Sequence, residues 1–174
     1  PRKGVVMLTQ IFNAILRVCH FPRDWKVAKI IMLPKPGKQL EDCKSYRPIS
    51  LLPTLAKLFE KLFVKRLSEV VESAEIIPNH QFGFRGKHAT IEQVHRVTRN
   101  IREAMEKKQH CPTLILDVSQ AFDKVWIPGL LHKISKYFPK HYNQILSSYL
   151  HGRQFYVHYG EAKSNIKPIF QTVS

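Results

Sequence analysis

Apolar residues recur at helical spacing near the start of the chain: Leu8, Phe12, Ile15, Leu16 and Cys19 share one face of Val5–Cys19. His20-Phe21-Pro22 ends that pattern. Trp25–Leu33 (WKVAKIIML) then reads as a strand stopped by Pro34, and Ile49–Leu52 is a further short apolar run. Thr54 is positioned to cap a helix over Leu55–Val71, whose buried face would be Leu55, Leu58, Phe59, Leu62, Phe63, Leu67, Val70 and Val71. Lys57, Lys61, Lys65 and Arg66 face elsewhere. Thr90 caps a third helix running through Lys107, with Ile91, Val94, Ile101 and Met105 on one side. On its other side Arg96, Arg99 and Arg102 recur every three residues, a stripe that suits solvent or a nucleic-acid strand. Pro128 fits the first position of a helix over Gly129–Phe138, and Pro139 begins another running to Leu150. Arg153–Tyr159 alternates as a strand, and its return over Ile166–Phe170 through Gly160–Asn165 makes a hairpin. The order predicts an α+β (mixed α/β) fold. No internal repeat, low-complexity segment or linker interrupts it.

One stretch breaks the alternation. In Thr113–Trp126 (TLILDVSQAFDKVW) the apolar residues Leu114, Ile115, Leu116 and Val118 bracket a lone Asp117. Such a run predicts a buried central strand. An acid inside it is costly unless paired with a cation or protonated. At the end of a strand, Asp117 stands where open sheets present chemistry; equally, it could cap the next helix, a role Ser119 could share. Phe122 follows five residues on, with Asp123 beside it.

Length and charge narrow the field. A chain of 174 residues holds one domain with a real core, or part of a larger one. Its 44% hydrophobic content and ten Phe exclude a disordered tail. The 28 Lys+Arg against 13 Asp+Glu give +15, spread along the chain, which favours a polyanionic partner, nucleic acid ahead of a membrane surface. Cys19, Cys43 and Cys111 lack metal spacing and point to a reducing compartment without a zinc site. No signal peptide or transmembrane run is visible. A start at Pro1 and a stop at Val173-Ser174 suggest a piece cut from a longer protein.

Two loops carry candidate contacts. PKPGKQLEDCKSYRP holds Lys35, Lys38, Lys44 and Arg47 among turn residues, where cations either grip phosphates or stay solvated. QFGFRGKHAT sets Arg85 and Lys87 beside Gly83 and Gly86, glycines that permit unusual backbone angles or close approach.

Taken together, WKVAKIIMLPKPGK…SYRPISLL, NHQFGFRGKHAT and LILDVSQAFDKVW resemble, in this order and spacing, the reverse transcriptase of non-LTR (LINE-type) retrotransposons, the jockey-like group above all. The resemblance covers nearly the whole chain and implies a right-hand polymerase fold. Residues 1–112 would be fingers with palm-approach helices, and 113–174 part of the palm. Asp117 matches the first catalytic aspartate, a ligand of two Mg²⁺ (or Mn²⁺) ions, with the backbone carbonyl of Val118 on one of them. Phe122 matches the gate that excludes a ribose 2′-hydroxyl. Lys35 and Arg47 match the cations that hold the dNTP triphosphate. Gln81, Phe82, Gly83 and Arg85 match a motif near the template. Asp123 reads better as a helix-start acid than as a ligand. The implied partners are an RNA template, a DNA primer, dNTP and the missing palm and thumb, in the nucleus and cytoplasm.

The chain stops short of the family's glutamine-glycine motif, its paired aspartates and its thumb, and no Asp-Asp pair occurs anywhere. The expectation is therefore an RNA-directed DNA polymerase whose 174-residue piece is inactive alone. The rival is a non-catalytic nucleic-acid-binding remnant of a truncated element. A mobile-intron maturase shares the core, but the QFGFRGKHAT and AFDKVW wording favours the LINE-type group.

Overall fold

A computed structural model describes residues 2–118, 121, 122 and 124–169. They fall into two compact units, one within Pro1–Val70 and Phe122–Ser174, the other within Val71–Ala121.

In the first unit a helical core is built from large apolar side chains at helical spacing. Helix α1 (Arg2–Val18) contributes Phe12 and Ile15, and α2 (Thr54–Ser73) contributes Ala56, Phe59 and Phe63. Helix α4 spans Ile127–Tyr137, and α5 (Lys140–Leu150) adds Ile145 to the same cluster. Phe21, 1% exposed, sits at the centre. Its ring meets Tyr149 edge-on at 5.0 Å and Trp25 at 5.7 Å, while Phe12 meets Phe59 at 5.5 Å. Each such ring contributes about 1.5–3 kcal/mol by leaving water. The polar atoms that enter are satisfied: the Phe21 amide donates to Ser148 Oγ at 2.9 Å, and Tyr149 Oη donates to Glu60 Oε1 at 2.7 Å. Burial raises the Tyr149 phenol above its ordinary pKa.

The buried stripe of α2 is narrower than its leucines predict. Leu55, Leu58 and Leu62 are 42%, 39% and 47% exposed, because the stripe that meets the core, Ala56, Phe59 and Phe63, is centred about a quarter-turn round the helix from them. Thr54 is the first helical residue rather than the cap.

The same unit holds a sheet with strand order β2-β1-β3-β4, and β5 also pairs with β3. Strand β1 is Val27–Pro34, β2 Tyr46–Leu51, β3 Gln154–Tyr159, β4 Ala162–Lys163 and β5 Lys167–Pro168. Trp25 and Lys26 belong to a 3-10 turn, Arg23–Lys26, not to the strand, since Trp25 turns into the helical core. Strand β2 starts three residues ahead of its apolar run; as an edge strand it tolerates Pro48. The predicted return beside β3 is present as β5, pairing Gln154 with Pro168 and Phe155 with Lys167, and its last residue, Phe170, lies outside the described residues.

In the second unit, helix α3 (Thr90–Glu106) begins after Ala89, not at a capping Thr90: Glu92 Oε2 accepts from the Ala89 amide at 2.9 Å. No residue of α3 is buried. Residues 113–118 form no strand. Leu114, Ile115 and Leu116 are 82%, 88% and 81% exposed, because no described strand offers their backbone groups a ladder. Asp117 caps no described helix either: among the described residues the next helix starts at Ile127, after Trp126. Ser119 and Asp123 lie outside the described residues.

Candidate functional site

Antiparallel pairing of β1 with β2 brings Lys35 and Arg47 to one end of one sheet face. Leu33 opposes Arg47, and the Lys35 amide donates to the Ser45 carbonyl at 2.7 Å, one step beyond the Pro34–Tyr46 pair. Opposed residues share a face and successive ones alternate, so Leu33, Lys35 and Arg47 lie on the same side. Arg47 is exposed; Lys35 is half-buried, and its Nζ donates to the Lys44 carbonyl at 2.7 Å, closing the intervening loop.

The register carries that face further. Lys29 opposes Tyr156, Ile31 opposes His158, and His158 opposes Lys163. The Lys163 ammonium stands 4.4 Å from the Tyr156 ring centroid, a cation–π contact. Lys29, Tyr156, His158 and Lys163 thus join the face of Lys35 and Arg47. The sequence reading missed them. The available signal was polar and aromatic residues two apart on strands that otherwise face inward. Cations and an aromatic ring on one sheet face can hold phosphates and stack a base.

The loop before α3 is fastened by one ion pair. Arg85 Nε donates to Glu72 Oε1 at 3.0 Å, Nη2 to Glu72 Oε2 at 2.8 Å, and Nη1 to the Pro78 carbonyl at 3.2 Å. The Arg85 side chain is 8% exposed against 45% for Glu72. Bonding to Arg85 holds the Glu72 carboxyl below its ordinary pKa, and the same bond raises the guanidinium. Arg85 therefore shapes the loop from within, while Gln81 and Gly83 are exposed and Phe82 is half-buried. Phe82 meets His88 edge-on at 5.0 Å, and His88 Nδ1 donates to the Gly86 carbonyl at 2.8 Å. Left-handed backbone falls on Phe84 (φ 58°) and Lys87 (φ 60°), not on the two glycines beside them. Such angles cost L-residues about 1–2 kcal/mol each. Gln93 Oε1 is buried without a hydrogen-bond donor among the described residues, a cost of roughly 1–3 kcal/mol.

Asp117 and Val118 are exposed, Val118 to 68%, and Phe122 is 78% exposed, so burial does not account for Phe122 as a core ring. Among the described residues no three His, Cys, Asp or Glu side chains converge. Asp117 with the Val118 carbonyl offers hard oxygen donors of the right kind, but a minority of the octahedral positions Mg²⁺ requires. The described residues alone do not make a metal centre. No described helix is long and apolar enough to cross a membrane.

Comparison with known proteins gives concordant matches. Residues 33–172 match the family model "Reverse transcriptase (RNA-dependent DNA polymerase)". The chain is 49% identical over 157 residues to a probable RNA-directed DNA polymerase from transposon BS of Drosophila melanogaster, covering 90% of this chain and 17% of that protein. It is 46% identical over 169 residues to the RNA-directed DNA polymerase from mobile element jockey of the same organism, covering 97% and 18% respectively. Similarity to the probable polymerase from transposon X-element is 46% over 164 residues, 94% of this chain and 18% of the relative. The chain thus spans less than a fifth of the length of these relatives.

Proposed function

Since the chain belongs to the reverse transcriptase (RNA-dependent DNA polymerase) family, a class of nucleotidyltransferases, we propose that it forms the fingers and the first part of the palm of a non-LTR retrotransposon polymerase that copies RNA into DNA. The observation that carries this reading is the convergence of Lys35 and Arg47 on one sheet face with Lys29, Tyr156, His158 and Lys163. In this reading Arg47 grips the dNTP triphosphate through its planar fork and Lys35 adds a point charge once it leaves the Lys44 carbonyl. Tyr156 and the lysines beside it lie along the template backbone. Phe122 stands under the incoming sugar, and Gln81, Phe82 and Gly83 line the template side of a loop that Arg85 holds in shape.

Asp117 and the Val118 carbonyl would offer oxygens to divalent ions, which need further ligands that the described residues do not supply. Held there, such ions would neutralise the charge that spreads over the reacting phosphate.

The test is extension of a DNA primer annealed to RNA, with dNTPs and Mg²⁺, by a full-length polymerase carrying this segment. We expect the wild type to extend and Asp117→Ala to fall to background; extension by the variant at the wild-type rate would overturn the assignment of Asp117. Absence of extension by the wild-type polymerase, with salt-sensitive RNA binding retained, would support instead the non-catalytic remnant, a reading consistent with the exposure of residues 114–118.

A further inference from the structure

Arg47 and Lys35, the cations read as holding the triphosphate, sit at the least secure end of the sheet. Strand β2 is an edge strand, paired on one side only, and Arg47 is its second residue. The polar loop before it, residues 35–45, turns through Gly37 at φ 71° and buries only Ser45. Strand ends of this kind open locally at small cost. No described carboxylate pairs with Arg47, so its place depends on its backbone. Among the described residues, the loop's other hydrogen bonds run between its own residues: the Lys35 amide to Ser45, the Ser45 amide to the Asp42 carbonyl, the Lys44 amide to the Asp42 carboxylate. Tyr46 is the exception. Alternation along β2 turns it to the face opposite Arg47, where its hydroxyl donates to the Leu40 carbonyl at 3.0 Å and pins the middle of the loop. Its ring meets that of Tyr159 edge-on, with centroids 6.1 Å apart. Tyr159 ends β3, and β1 lies between β2 and β3, so the two rings bridge strands that stand about 10 Å apart.

The contact joins the loop and the edge strand to a strand they do not otherwise meet. We propose that Tyr46 is a positioning residue for nucleotide binding: tied to Leu40 on one side and to Tyr159 on the other, it fixes the start of β2 and so holds Arg47 and the base of the Lys35 loop ready for the triphosphate. Tyr46 faces away from that site and touches no substrate. The hydroxyls of Tyr46 and Tyr159 share a hydrogen bond, which together with burial raises the Tyr46 phenol above its ordinary pKa and keeps the proton it donates. A site ordered before binding loses less of the nucleotide's interaction energy to ordering, which favours affinity. This inference rests on the polymerase reading and adds Tyr46, supported by Tyr159, to the residues on which dNTP affinity depends.

The test is steady-state extension of a DNA primer on an RNA template by a full-length polymerase carrying this segment, with dNTP varied. Tyr46→Phe keeps the ring and removes the hydroxyl alone. We expect it to raise the KM for dNTP roughly fivefold, the scale of one hydrogen bond, with kcat and the affinity for primer–template within about twofold of wild type. Tyr159→Phe leaves the bond to Leu40 in place and should raise KM less. Arg47→Ala should raise KM by itself, and adding Tyr46→Phe to it should change KM by less than about twofold, because Tyr46 acts through Arg47. An unchanged KM in Tyr46→Phe, a loss confined to kcat, or effects that multiply in the double variant would overturn the positioning role and leave the polymerase reading intact. A wild-type KM in Arg47→Ala would overturn it together with the triphosphate assignment. Absence of extension by the wild-type polymerase would remove the reading on which both rest. Equal thermal midpoints of Tyr46→Phe and wild type separate a loss of positioning from a loss of fold.

Discussion

Arg85 illustrates how a residue's chemistry can be legible while its partner is not. A guanidinium in a glycine-bounded loop suggests phosphate; the structure pairs it with Glu72, thirteen positions earlier and across a turn that sequence spacing does not reveal. That pairing makes the loop sensitive to acid. Because the bond depresses the Glu72 pKa, its contribution is present above the unfolded glutamate pKa and is lost as pH falls through the lowered folded value. Amide hydrogen exchange over residues 78–88, corrected for its intrinsic pH dependence, should accelerate as pH falls below the ordinary glutamate range. Glu72→Gln should show the faster exchange already at neutral pH; unchanged protection in that variant would mean the ion pair does not hold the loop. Phe122 is the converse case, an aromatic whose burial as core is contradicted by its 78% exposure. In the full-length polymerase Phe122→Val should admit ribonucleotides, read as a fall in dNTP-over-rNTP selectivity during primer extension. Unaltered selectivity would remove the gate assignment.

At the scale of elements, helices were the most legible because their signal is local. The periodicities of α1, α2, α4 and α5 and the prolines flanking them place each helix to within a few residues. Which side chains fill the core was less legible: Phe59 and Phe63 are buried, whereas Leu55, Leu58 and Leu62 on the same helix remain partly in water. Phe59, 3% exposed and touching Phe12, Phe21, Trp25 and Phe63, should therefore matter most on α2. Phe59→Ala is expected to cost about 3–5 kcal/mol and Leu58→Ala much less, compared by urea denaturation of the chain. Equal losses would mean that the aromatic cluster is not the centre of stability. The Thr113–Val118 run marks the limit of local reading. Its composition is that of a strand, but a strand exists only as a ladder, and no described neighbour completes one.

Over the whole molecule the excess of positive charge, +15, acts as a field rather than as particular contacts, and binding of RNA should follow it. Affinity for single-stranded RNA should fall steeply as salt rises. Lys29→Ala and Lys163→Ala should each reduce the slope of log K against log salt by about 0.7 if both lysines neutralise phosphates. A slope unaffected by either change would place the RNA on another surface. The sequence by itself determined the family, the mixed α/β composition, the helical periodicities and the basic character, because these depend on residue identity, spacing along the chain and summed charge. Tertiary structure decided what depends on residues far apart in the chain. The parallel pairing of β1 with β3 sets Lys29 beside Tyr156, and the ion pair with Glu72 turns Arg85 inward. Register and ion pairing are relations between partners, and a linear pattern specifies each partner without specifying which one it will meet.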